Sequence, residues 1–160
     1  MAQHNNLHIH FSNNLLEFVD SHKHLGITFS ANCKWTVHIT VIIASASRQL
    51  NMLRKLKFRL DRFILNRLYL TYIRPVLEYA SEVWDGCSVT DANRLEQIQL
   101  NAARIVTGLP IFATKESLYY ETGWETLAER RKTQTFTLNV QYYKRVSSVL
   151  LNKLSSSVSR

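Results

Sequence analysis

From Trp35 to Leu56 apolar residues recur at three- and four-residue steps: Trp35, Ile39, Ile42, Ala46, Leu50, Leu53 and Leu56. That period places them on one face of a helix and excludes a strand, whose faces alternate every second residue. So long a helix, apolar on one side only, needs partners to cover that side. The downstream sequence supplies them. A second helix is expected from Asp61, a capping residue, through Ile64, Leu68, Tyr72, Ile73, Val76, Leu77, Ala80 and Val83, with Pro75 kinking or splitting it. A third starts at Thr90 or Asp91, carries Leu95, Ile98, Ala102, Ile105 and Val106, and stops at Gly108-Leu109-Pro110.

Ahead of the stripe the period is that of strands. Leu7-His8-Ile9-His10-Phe11 alternates, Asn13-Asn14 reads as a two-residue turn, Leu15 to Val19 as a second strand and His24 to Phe29 as a third. Asn32 is the expected cap of the first long helix. Past the third helix, Thr114 to Glu121 reads as a short helix and Glu125 to Lys132 as the start of another. Thr133, Thr135 and Thr137 disfavour its continuation, and the serine-rich end is expected to fray. The fold class is therefore α+β, mainly α: a short antiparallel β-meander (1–31), a helical bundle (32–132) and a poorly defined C-terminal segment (133–160). At 160 residues and 46% hydrophobic, the chain can bury a sizeable core.

The net charge of +8 is unevenly spread. Residues 48–74 carry eight Lys and Arg against Asp61 alone, residues 75–129 carry nine acids against three bases, and residues 130–160 carry seven bases and no acid. A phosphate-binding surface is expected from the first basic block, through Arg48, Arg54, Lys55, Lys57, Arg59 and Arg62. Arg48, Lys55, Arg59 and Arg62 share a helix face only if the first helix runs that far, and Asp61 argues for a break. For residues 130–160 a solvated helix face is the better reading.

Other chemistries have little support. Cys33 and Cys87 are the only cysteines, too few for a disulfide framework. His4, His8, His10, His22, His24 and His38 all lie near the start, but alternating polar residues on a half-exposed meander explain them as well as a metal site does. No histidine is placed as a base for Cys87, and Asp20, Asp61, Asp85 and Asp91 stand apart, unlike the clustered carboxylates of two-metal catalysis. No catalytic or metal-binding residue is expected. The N-terminus is not a signal peptide and no run is long enough to span a bilayer. The expected location is intracellular, in nucleus or cytoplasm, without a membrane partner.

Several stretches in order resemble one family. They are His22-Lys23-His24-Leu25-Gly26-Ile27, Lys34-Trp35 with His38-Ile39, and Leu53-Arg54-Lys55-Leu56-Lys57. Then come Tyr72-Ile73-Arg74-Pro75-Val76-Leu77-Glu78-Tyr79-Ala80 with Val83-Trp84-Asp85, and Leu95-Glu96 with Ile98-Gln99. The last are Ala102-Ala103-Arg104-Ile105-Val106-Thr107-Gly108 and Glu121-Thr122-Gly123-Trp124-Glu125. Over roughly residues 7–132 the chain resembles the reverse transcriptase of non-LTR (LINE-type, jockey-like) retrotransposons, in the part that follows the catalytic palm.

The resemblance implies that Lys23, His24, Leu25 and Gly26 correspond to the primer grip at the palm's end, and that the helices correspond to the thumb. The implied partner is an RNA–DNA or DNA duplex, bound without sequence preference, alongside the palm and fingers of the parent polypeptide. The family's metal-binding acids belong to the missing palm, so no cofactor is implied here and Mg²⁺ is expected only there. The chain is read as a fragment without catalysis of its own. Two other classes are compatible with the residues: a helical protein-interaction module or inert remnant, and, last, an interfacial membrane binder using the Arg48–Lys57 face.

Overall fold

The computed structural model describes residues 10–12 and 14–158. Four short strands precede seven helices: β1 (His10–Phe11), β2 (Asn14–Leu15), β3 (Ser21–His24), β4 (Ile27–Ser30), α1 (Thr36–Leu56), α2 (Arg62–Leu68), α3 (Arg74–Glu78), α4 (Ser81–Trp84), α5 (Val89–Thr107), α6 (Lys115–Thr122) and α7 (Leu127–Val158). A π-helical turn, Tyr69–Ile73, joins α2 to α3. The chain is mainly helical, as the apolar periods require, and α1 against α5 is its most extensive helix pair. Among the described residues no helix is long and apolar enough to cross a membrane.

The expected three-stranded meander is instead two separate hairpins, β1–β2 and β3–β4. Residues 7–9 and 13, part of the first expected strand and turn, lie outside the described residues. The expected third strand divides because Leu25 and Gly26 both adopt positive φ, 46° and 81°, and turn the chain back. Two consecutive residues of that kind make the tight turn whose twist suits an antiparallel pair. Lys23 then faces Thr28, and His24 faces Ile27.

The stripe on α1 is buried as read: Ile39, Ile42, Ala46, Leu50 and Leu53 lie in the core with Leu65, Ile73, Leu95 and Leu118. Its expected cap is corrected. Asn32 accepts the Lys34 N–H at 2.9 Å in a local turn, while α1 begins after Trp35 without a side-chain cap. Asp61 does cap α2, accepting the Ile64 N–H at 2.8 Å. For α5 the cap is Ser88 rather than Thr90 or Asp91; its hydroxyl accepts the Asp91 N–H. Gly108 ends α5 in the left-handed region, as expected.

Pro75 is accommodated by the π-helical turn just before it. There the Arg74 N–H bonds to Tyr69 O, five residues back instead of four. The wider turn absorbs a proline that has no N–H and would crowd the carbonyl four residues before it. The break falls later, at Ala80, left-handed with φ 49° and ψ 34°.

The expectation that Thr133, Thr135 and Thr137 would stop the last helix is overturned. α7 runs unbroken to Val158. It opens on a reciprocal cap in which Glu129 Oε2 accepts the Thr126 N–H at 3.0 Å and Thr126 Oγ1 accepts the Glu129 N–H at 3.1 Å. The threonines expected to stop it are compatible with it. Thr133 donates to Glu129 O and Thr137 to Thr133 O, the back-bonding that lets threonine sit inside a helix.

Candidate nucleic-acid interface

Arg48 and Lys55 lie seven residues apart on α1, so they share a face, and that face is opposite Ile39, Ala46 and Leu50. Arg54 follows on the exposed flank and bonds Asn51. The helix ends at Leu56, and Lys57, Phe58 and Arg59 project from the exposed turn to α2. Among the described residues none of Arg48, Arg54, Lys55, Lys57 and Arg59 is paired with a carboxylate. The block's one acid, Asp61, is occupied by the α2 cap.

Arg62 is paired where they are not. Its guanidinium reaches Glu121 on α6, 3.0 Å from Oε2, and also donates to the Glu121 carbonyl. It ties α2 to α6, and its charge is matched. The continuous face through Arg59 and Arg62 is likewise absent, because α1 stops first. Arg74 faces Glu78 at 4.0 Å, so the free cations narrow to the 48–59 stretch with Arg67, which lies over the Phe63 ring.

The last basic block begins by bracing the fold. Arg130 pairs with Glu78, and Arg131, 6% exposed, meets Asp85 at 3.2 Å while lying over the Trp84 ring. Much of the acidic block thus has its partners within the molecule.

Lys23, His24, Leu25 and Gly26 form the tip of the β3–β4 hairpin, with all four exposed. Tyr79 holds that tip: its hydroxyl donates to Leu25 O at 2.9 Å. A Cβ at Gly26 would stand 3.2 Å from the Tyr79 ring, so Gly26 is needed for both its turn geometry and the close approach. His38 holds the other side, its Nδ1 accepting the Thr28 N–H at 3.3 Å while its ring sits between Trp35 and Trp84. Burial lowers the His38 pKa, and among the described residues Nε2 has no partner. Motif pieces far apart in sequence, around Gly26, His38, Tyr79 and Trp84, therefore meet at one hairpin.

The hairpin and the basic stretch are not one site. From His38 to Arg54 is sixteen residues of α1, which at 1.5 Å per residue is about 24 Å along its axis. Two features escaped the sequence reading: the exposed rings of Phe58 and Phe63, and the role of Tyr79. The signal for the rings was present in Lys57 beside Phe58 and in Arg67 four residues after Phe63.

Burial raises the Cys87 thiol pKa, which keeps it protonated and poorly nucleophilic. Asp91 is 3% exposed and held by Thr36, Ser88 and Arg94; burial alone would raise its pKa, and those hydrogen bonds outweigh it and bring it down. Among the described residues no three His, Cys, Asp or Glu stand together as metal ligands.

Comparison with known proteins finds a similarity to one stretch of a transposon-encoded RNA-directed DNA polymerase. The relative is described as a probable RNA-directed DNA polymerase from transposon BS of Drosophila melanogaster, 22% identical over 116 residues. The match covers 71% of this chain and 13% of that protein. No family's sequence profile matches the chain, and no solved structure matches it.

Proposed function

We propose that the chain corresponds to the palm end and thumb of a non-LTR retrotransposon reverse transcriptase and binds template–primer duplex through backbone phosphates, without sequence preference. The observation that carries this reading is the run of cations at Arg48, Arg54, Lys55, Lys57 and Arg59. They are exposed and, among the described residues, paired with no carboxylate, beside a single acid already committed to a helix cap. Point charges and forks of this kind follow a phosphate backbone rather than base edges. The exposed Lys23–Gly26 hairpin fits a primer-positioning tip in the same reading.

Polymerisation is not proposed for this chain alone. The divalent metals of that reaction need clustered carboxylates, and three of the four aspartates here are otherwise used: Asp61 caps α2, Asp85 meets Arg131 and Asp91 is sequestered at the start of α5. The test is duplex affinity across a salt series for the chain and for Arg54→Ala, Lys55→Ala, Lys57→Ala and Arg59→Ala combined. The expected result is a log–log salt slope shallower by about 3 to 4 in the variant, near one per lost phosphate contact. An unchanged slope removes these residues from the surface. Absence of salt-dependent binding by the parent chain would favour a protein-interaction role.

A further inference from the structure

The turn after α1 and the start of α2 display two aromatic rings that the core does not use. Phe58 is 85% exposed and Phe63 is 65% exposed. Each carries its own cation: Lys57 Nζ lies 4.7 Å from the Phe58 ring centre, and the Arg67 guanidinium carbon lies 5.4 Å from that of Phe63. The rings are five residues apart in sequence, so their Cα atoms are separated by no more than about 18 Å. Arg59 stands between them in sequence and is also exposed.

Exposing a phenylalanine forgoes the gain of burying it. Two such rings at one corner imply a ligand with apolar faces. The cores of protein–protein interfaces are depleted of charge, whereas this corner combines rings with cations. A cation over one face of a ring leaves the opposite face open. A nucleotide offers a flat base for that open face and a phosphate for the cation. A duplex cannot use the rings, because its base faces are already stacked on one another.

We infer that Phe58 and Phe63, with Lys57, Arg59 and Arg67, form a stacking platform for unpaired nucleotides, so that this corner takes single-stranded RNA or DNA beside the duplex-binding cations. This rests on reading the basic stretch as a nucleic-acid surface, and it adds the strand class that the surface takes at its end. Both rings are exposed, so their replacement should leave the fold intact, which a thermal melt of each variant checks.

The experiment uses the full chain and three labelled probes: oligothymidylate and oligouridylate of about 15 nucleotides, and a blunt DNA duplex of similar length. Binding is measured for the parent chain, for Phe58→Ala with Phe63→Ala, and for Phe58→Trp with Phe63→Trp. The expected result is that the alanine pair weakens both single strands at least about tenfold, given what a stacked base contributes. Duplex affinity and the salt slope stay unchanged, and the tryptophan pair restores binding. Equal binding of the two oligonucleotides is expected of stacking; strong preference for one identifies RNA or DNA as the ligand. Alanine variants that bind single strands as the parent does, or that lose duplex and single strand equally, overturn the platform. A parent chain that binds duplex alone overturns it too while leaving the proposed function standing. One that binds single strands alone, through the rings, keeps the platform and overturns the duplex reading. A parent that binds none of the three overturns both.

Discussion

The Tyr69 ring is stacked on the Trp124 indole, with ring centres 4.0 Å apart and planes within 19° of parallel. This contact joins the π-helical turn to the segment that launches α7. The Tyr69 hydroxyl donates to Gln99 Oε1 at 2.6 Å, and Gln99 Nε2 donates to Glu125 O at 2.9 Å. The Trp124 indole N–H donates to Asn66 Oδ1 at 2.9 Å. Burial raises the Tyr69 pKa, so the hydroxyl remains a donor. The π-helical turn, α5 and the loop before α7 therefore meet on one tyrosine, and Trp124 ties α2 to them.

Tyr69→Phe is expected to destabilise the chain by about 1–3 kcal/mol, because it strands the buried Gln99 acceptor while keeping the stack. Tyr69→Ala, which also leaves a cavity, should cost about 3–5 kcal/mol. Urea unfolding measures both. Equal costs for the two would mean that the stack contributes nothing.

Gly26→Ala places a side chain at φ 81° and against Tyr79, at an expected local cost of about 1–2 kcal/mol. Amide exchange should quicken at Thr28 and Ala31, whose N–H groups bond His38 Nδ1 and Asp20 O. Amides within α5 should keep their protection. Uniform quickening across the chain would contradict a local role.

Ala80→Gly is expected to stabilise the chain by about 0.5–1 kcal/mol. The left-handed backbone at Ala80 strains any residue with a Cβ, and relief of that strain exceeds the entropy glycine adds to the unfolded chain. A rise in the urea midpoint at constant slope is the readout.

His38 is buried with its pKa lowered from 6.5, so the unfolded chain binds its proton first as pH falls. Its contribution to stability is complete above about pH 6.5 and is lost as pH drops from there through the lowered value. Unfolding free energies at several pH values should decline over that window. In His38→Gln the part of the decline due to this residue disappears; an unaltered profile would assign it elsewhere.

Arg62→Ala is expected to leave the salt dependence of duplex binding unchanged, since Glu121 already holds that guanidinium. Arg59→Ala should make the slope shallower by about 1. A shallower slope for Arg62→Ala would return that residue to the surface from which its ion pair removes it.

The helices were legible wherever one face is apolar and a cap residue precedes it. The α1 stripe, the Asp61 cap and the Gly108 stop all lie where the sequence places them. What escaped was decided by contacts distant in sequence or by residues whose usual preference was outvoted. The break at Ala80 carries no turn signal, and Thr133 and Thr137 read as helix-breaking until their hydroxyls find carbonyls. The site divided in the same way. Exposure of Arg48 and Lys55 followed from the period of α1. The capture of Arg62 depended on Glu121, fifty-nine residues away, which no local pattern announces.

The π-helical turn at Tyr69–Ile73 holds one residue more than an ordinary helical turn would need. Leu65 before it, Tyr69 and Ile73 at its two ends, and Leu77 after it all remain buried, so the surplus is absorbed without rotating either half off the core. Length variation is therefore tolerated at this point. A version of the chain lacking Thr71, with Pro75 replaced by a residue that has a backbone N–H, could close the turn to an ordinary helix while both flanks kept their buried positions. Among homologous sequences, a one-residue gap is expected to fall here rather than in α1 or α5, where the same deletion would swing every downstream core residue about 100° around its helix.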